Sequence, residues 1–211
     1  MPRYPQNKAR RGSQFHLQRL VNGSRWGFGD AIGVGPLEWR SPLEEDDYAE
    51  YRDAAFLHRL GVSEEASLAK FWPRGGPQWD GLAVSTLGEI VLIEAKSHAS
   101  EMRNNCTAKD PDSICLITTS LEECKRALGA EPSSNWLQGY YQYANRLAHT
   151  WFLNESVKLP CILAFVYFID DTTMQAPLSR EGWIAEIALT HNKLGLRSPL
   201  PSYVREVFVK V

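Results

Sequence analysis

Within residues 78–98, apolar positions gather into two short runs. Leu82 and Val84 stand in the first and Ile90, Val91, Leu92 and Ile93 in the second, with the polar stretch Ser85-Thr86-Leu87-Gly88-Glu89 between them. Short apolar runs rich in β-branched residues and separated by a turn predict a buried hairpin. If Thr86-Leu87-Gly88 is a three-residue loop with Gly88 left-handed, Ser85 pairs with Glu89. Counting back from that pair sets Asp80 opposite Glu94. Side chains alternate across a strand, so the two carboxylates share a face and Lys96 points to the same side. A two- or four-residue loop would turn Asp80 to the other face.

The rest of the pattern is mainly helical. Residues 42–60 are expected as a helix, with Ser41 as N-cap, Pro42 in the first turn, Glu44 completing a capping box and Gly61 as the stop. A short helix follows Ser63, with Leu68 and Phe71 on its apolar edge. Residues 100–115 are expected as a mobile loop, and residues 121–128 as a helix opened by a capping box at Ser120 and Glu123. Over residues 135–153, Leu137, Tyr141, Ala144, Leu147, Ala148 and Trp151 form a core-facing stripe. A second stripe of Gln142, Asn145, Arg146 and His149 is wholly polar, either a solvated face or a functional one. Residues 161–169 are apolar on both faces, as in a central strand covered by helices. Residues 179–194 predict a helix stopped by Gly195, and residues 203–211 a closing strand, at the sheet edge or paired with a second subunit.

Residues 1–40 form a basic, glycine-rich N-terminal arm ahead of a single domain at 41–211. Trp26, Phe28, Ile32, Leu37 and Trp39 suggest that the second half of the arm packs, on the domain or on a partner subunit. Residues 72–79 form a loop punctuated by proline and glycine. Within it Arg74 is a candidate phosphate contact, and Trp72 and Trp79 are expected to pack, with stacking on bases as their alternative.

At 211 residues the chain is long enough for one sizeable core. No apolar run approaches a membrane span, and residues 1–11 lack the apolar stretch of a secretory signal, so no membrane partner and a cytoplasmic location are expected. The cysteines contain no C-x-x-C pair and the five histidines no zinc-ligand spacing, which leaves reduced thiols as the expectation. A net charge of −2 carries no overall footprint for nucleic acid. Its distribution is uneven, however. Arg3, Lys8, Arg10, Arg11, Arg19 and Arg25 occur with no acid within residues 2–29, whereas Glu44, Glu45, Asp46 and Asp47 are consecutive. The basic segment is expected to be solvated and mobile, with phosphate-backbone tracking as its alternative.

Two carboxylates side by side at a sheet end repel, and a hard divalent cation relieves them. Mg2+ takes one or two carboxylates and keeps waters and substrate oxygens in its remaining positions. An ammonium beside it can orient a water for phosphodiester hydrolysis. An Asp followed after thirteen residues by Glu-x-Lys on a strand, here Asp80, Glu94 and Lys96, resembles the PD-(D/E)XK nuclease superfamily. The resemblance covers roughly residues 62–170, and Trp79 stands where the literal motif has proline. The same letters recur at Asp112, Glu123 and Lys125, but in the helical setting of Ser120.

The resemblance implies a restriction-endonuclease-like three-layer α/β sandwich, a mixed central sheet flanked by helices. It implies Mg2+ (or Mn2+) held by Asp80, Glu94 and the Ala95 carbonyl, with Lys96 positioning or activating the attacking water. It further implies a helix after the Glu-x-Lys strand that holds the substrate backbone through Gln142 and Arg146. His98 is a further candidate contact, and an acid such as Glu44 or Glu50 would join the metal as helix acids do in some members. The expected substrate is nucleic acid, taken as DNA although nothing in the sequence separates it from RNA, and a homodimer is in keeping with nucleases that cut both strands. The alternative is a non-catalytic nucleic-acid-binding or assembly protein that keeps the nuclease fold.

Overall fold

The computed structural model describes residues 3–23 and 27–211. Arg25 and Trp26, named above, lie outside the described residues. The strands are β1 (Arg3–Tyr4), β2 (Leu37–Ser41), β3 (Glu50–Tyr51), β4 (Gly81–Ser85), β5 (Ile90–Lys96), β6 (Cys161–Ile169) and β7 (Val204–Lys210). The helices are α1 (Gly12–Asn22), α2 (Phe28–Ala31), α3 (Ala54–Arg59), α4 (Glu65–Phe71), α5 (Pro111–Ala127), α6 (Tyr141–Trp151) and α7 (Arg180–Leu194).

Five strands form one mixed sheet in the order β2-β4-β5-β6-β7, antiparallel from β2 to β5 and parallel from β5 to β7. Strand β5 is buried along its whole length, as expected for a strand with neighbours on both sides and helices on both faces. Leu82, Leu92, Leu163, Phe165 and Tyr167 face a core shared with helices α3 to α7. Val91, Ile93, Ala164, Val166 and Phe168 face the opposite way, onto Leu17 and Val21 of α1 and onto Phe28 and Ile32. The molecule is thus a mixed α/β structure with helices on both faces of the sheet.

The hairpin has the register expected from its turn. Ser85 N–H donates to Glu89 O at 2.9 Å, and Gly88 takes φ +82°. Gly81 pairs with Ile93 and Leu82 with Leu92, so one step further places Asp80 beside Glu94. Strand β6 covers 161–169, and α7 runs from a Ser179 cap, whose hydroxyl accepts the Gly182 N–H, to Gly195 at φ +64°.

Several expectations gave way. Residues 42–60 are not one helix. Asp47, Tyr48 and Asp53 take positive φ of 51°, 51° and 53°, a single 3-10 turn covers Glu44–Asp46, a short strand occupies Glu50–Tyr51, and only α3 is α-helical. The acidic run meets the basic N-terminus instead of a helix dipole. Arg3 lies 2.8 Å from both Asp46 and Asp47, and β1 pairs with β3, so the chain is docked here, while Arg3, Lys8, Arg10 and Arg11 stay exposed as expected. Residues 12–40, expected within an arm, supply the helix that covers one sheet face and all but the last residue of the edge strand β2.

Helix α5 starts at Pro111, not at Ser120. The Asp110 carboxylate accepts the Ser113 N–H at 2.8 Å and Pro111 sits in the first turn, a cap the sequence carried openly. Asp112, Glu123 and Lys125 therefore lie along one helix, and Lys125 is committed to Glu122 and Ser134 O. Helix α6 begins at Tyr141 rather than near 135, where Gly139 at φ +80° and the bridge from Asn104 to Tyr140 hold a turn. All four cysteines are free thiols.

Candidate functional site

The site lies where β4 begins and β5 ends. Side chains of even-numbered residues on both strands share the α6 side of the sheet, which brings Asp80, Glu94 and Lys96 together beneath that helix. Asp80 Oδ2 accepts the Ala95 N–H at 2.7 Å. Glu94 is buried, with Lys96 Nζ bonded to Oε1 and Arg146 Nε 2.7 Å from Oε2. Lys96 also reaches Gln142 Oε1 at 3.3 Å.

The polar stripe of α6 is buried, not solvated. Asn145, Arg146 and His149 are 5%, 2% and 1% exposed. Arg146 is buried because each of its nitrogens has a partner. Besides Glu94 it donates from Nη1 to Asn145 Oδ1 at 2.8 Å and from Nη2 to Gln78 O at 2.7 Å. Its guanidinium carbon also lies 5.0 Å from the centre of the buried Trp79 ring. Asn104 steadies Gln142 by donating to Oε1 at 3.2 Å and accepting the Gln142 N–H.

A third acid belongs to this group. Glu50 on β3 is 8% exposed and accepts from Gln78 Nε2 at 2.6 Å and Gln14 Nε2 at 3.1 Å. It reaches the site from a two-residue strand, not from the helix on which it was expected. Glu44 does not, being exposed and facing Lys8. Glu50, Gln78, Asp80, Gln142, Asn145 and Arg146 line one open cleft of about 530 Å³.

The charges are not alike. Burial alone would raise the Glu94 carboxyl, but Arg146 and Lys96 outweigh it and hold it below its ordinary value. Burial likewise opposes the Lys96 charge, and Glu94 and Asp80 keep its pKa above normal. Asp80 goes the other way. Burial, then Glu94, with Glu50 adding, hold its carboxyl well above the usual range, against partial relief from Lys96 and the Ala95 N–H. Glu50 is raised as well, by burial first, while the two glutamine amides offset part of it. Two carboxylates with raised proton affinity flanking a fully paired one is an arrangement that a cation would relieve.

Among the described residues, no three His, Cys, Asp or Glu side chains form a ready-made metal group. The reason is visible in the contacts, since Glu94 turns both oxygens to Arg146 and Lys96.

Two expected contacts lie elsewhere. His98 Nδ1 accepts the Ser100 N–H at 3.1 Å and caps the turn Ala99–Met102, and it is not among the cleft residues. Arg74 lines a neighbouring cavity instead of the cleft. Trp72 and Trp79 are packed in the core. Gln14, Gln78 and Asn104 were not singled out from the sequence. They have no motif spacing, and they meet the site only through long-range folding.

No protein-family model matches the chain, and no match was found among curated proteins or solved structures. Among the described residues no helix is long and apolar enough to cross a membrane.

Proposed function

We propose that the chain hydrolyses phosphodiester bonds in DNA with a bound Mg2+ or Mn2+. The observation that carries this reading is the hairpin register, which sets Asp80 beside Glu94 with Lys96 two residues on along the same face. The mixed sheet covered on both faces supports the finer reading of a restriction-endonuclease-like sandwich.

The donor set fits a hard cation in its chemistry. Asp80 and Glu94 supply carboxylates and the odd residues of β5 turn N–H and C=O toward β4, so the Ala95 carbonyl lies on the side where Asp80 takes the Ala95 N–H. These three groups would hold the ion, with Glu94 exchanging a present partner for it. When bound, the cation supplies a Lewis acid for a phosphoryl oxygen and a more acidic water. Lys96, kept protonated by Glu94 and Asp80, acts as a donor that orients the water and not as its base. Glu50, whose carboxyl is raised by burial and which is not among the three groups that hold the ion, would be the proton acceptor. Gln142 and Arg146 hold the backbone from α6, Arg146 through nitrogen protons not spent on Glu94, Asn145 and Gln78.

One observation favours a second reading, a non-catalytic nucleic-acid-binding or assembly protein. Both Glu94 oxygens are neutralised by side chains of this chain, which is how a retired metal site would look. Calorimetric titration of Mg2+ and Mn2+ into wild type and Glu94→Ala, followed by cleavage assays on DNA and RNA, separates the two. The nuclease reading expects metal binding lost in the variant and metal-dependent cleavage of DNA. Salt-dependent DNA binding with no metal uptake and no cleavage would replace it with the second.

A further inference from the structure

Along α6, one turn beyond Asn145 and Arg146, His149 lines a second cavity of about 280 Å³, shared with Asp53, Leu68, Ala69, Trp72 and Arg74. The two hollows share a wall. Gly76 lines the cleft, and a Cβ on it would stand 3.2 Å from Asp53 Oδ1 and 3.4 Å from both His149 Nε2 and Trp72. The cavity lies at the small end of ligand pockets, suited to one ring system rather than an extended molecule.

Its chemistry is specific in three places. Leu68 and Trp72 give it a buried apolar and aromatic wall. His149, 1% exposed, has Nδ1 2.8 Å from Asn145 O. A carbonyl only accepts, so Nδ1 carries the hydrogen and Nε2 is an acceptor, with no hydrogen-bond partner among the described residues. Burial keeps the ring neutral, with its pKa lowered to about 3. Asp53 is committed to the Gly75 and Gly76 N–H groups. Arg74 at the exposed rim has no ion pair or hydrogen bond among the described residues. The occupant this wall calls for is flat and largely apolar, offers an N–H to His149, and carries an anion near Arg74.

A nucleotide meets all three conditions. We propose that this cavity takes up one unstacked nucleobase of the strand whose backbone crosses the neighbouring cleft, with Arg74 on a flanking phosphate. The substrate is then single-stranded or locally unpaired, because a base inside a duplex cannot enter. The proposal rests on the nuclease reading for the role of the cleft, but not for the binding itself.

The test is an equilibrium binding measurement in EDTA, with an oligothymidylate and an abasic strand of equal length as probes. Both carry the same phosphates, so their difference reads the base alone. Wild type is expected to prefer the oligothymidylate by about ten-fold or more, in line with the contribution of one seated base. Ala69→Phe, which fills the cavity from an exposed position, should bind both strands alike. Arg74→Ala should weaken both and flatten the salt dependence by about one phosphate. Equal affinity for the two strands in wild type, no binding of either, or a preference that survives Ala69→Phe would overturn the proposal. So would thymidine monophosphate binding as tightly as the strand, since the occupant would then be a free nucleotide. Because the readout needs no divalent ion, a base preference without Mg2+-dependent cleavage would sink the nuclease reading and leave the cavity assignment standing. Cleavage without base preference would do the reverse.

Discussion

Arg146 Nε donates to Glu94 Oε2 at 2.7 Å across a sequence separation of 52 residues, with both side chains almost wholly shut off from solvent at 3% and 2% exposure. Removing Arg146 leaves Glu94 with Lys96 alone and its Oε2 without a partner, and breaking a buried pair of this kind costs about 3–5 kcal/mol. Arg146→Met is expected to lower unfolding stability by that amount in urea with an unchanged denaturant slope. The double variant with Glu94→Gln should recover much of the loss. A cost below about 1 kcal/mol, the range of exposed pairs, would mean that the pair is solvated in solution.

Asp80 pulls in the opposite direction. Its carboxyl is held well above the ordinary value of 3.8, by burial and then by Glu94, so ionising it burdens the fold. Asp80→Asn keeps an oxygen to accept the Ala95 N–H and removes that charge. The variant is expected to be more stable than wild type by about 0.5–2 kcal/mol at pH 7, as is common when a functional strain is relieved. A raised carboxylate penalises the fold above its folded pKa and not below its unfolded one, so the gap should close as pH falls toward 4. Thermal melts in EDTA at pH 7 and pH 4 would show this, and the same variant should lose divalent-ion binding.

Acid stability should depend on Asp171, where β6 leaves the sheet. Burial alone would raise it, but the Thr173 hydroxyl, at 2.6 Å, and His16, at 2.9 Å, bring its pKa down to about 2. A depressed carboxylate stabilises the fold above its unfolded pKa, and that stability is lost as pH falls through the folded value. About 2 kcal/mol is therefore expected to disappear between pH 4 and pH 2. In Asp171→Asn the loss in that window should be absent from the urea midpoint measured against pH.

His149 sets a second, higher window. Its folded pKa is lowered from 6.5 to about 3 by burial, so below pH 6.5 the unfolded chain takes a proton that the folded chain refuses. Stability should fall by about 1.4 kcal/mol per pH unit beneath that point. His149→Gln is expected to lose that decline, leaving between pH 6.5 and pH 4 only the opposite trend from the raised Asp80 and Glu50 carboxyls. A decline toward acid pH as steep as that of wild type would assign it to another group.

The hairpin was legible because its determinants are local. Three turn residues with a left-handed Gly88 set the register, and the register aligns Asp80, Glu94 and Lys96. The central strand and α7 were legible for the same reason, one from an unbroken apolar run and the other from its cap and stop residues. Residues 42–60 were misread because a capping pattern is a local preference. The partners of that segment, Arg3 and Tyr4 of β1 and Trp79, lie far off in the chain and win. Nor did the α6 stripe reveal which way it faces. Arg146 is buried by an acid and a carbonyl 52 and 68 residues away, and Glu50 enters the site through Gln78 and Gln14, 28 and 36 residues distant. Distances of that kind leave no periodicity to read.

The parallel pairing of β5 with β6 has a consequence for how the chain is made. Between Lys96 and Cys161 the growing polypeptide holds Val91, Leu92 and Ile93 in a strand with one flank unpaired, and only the arrival of 161–169 covers it. An apolar open strand edge is a template for pairing with other chains. Fragments ending before Cys161, and equally those ending just after Ile169 with β6 still open on the β7 side, should therefore precipitate on release from the ribosome, whereas chains that include β7 should stay dispersed.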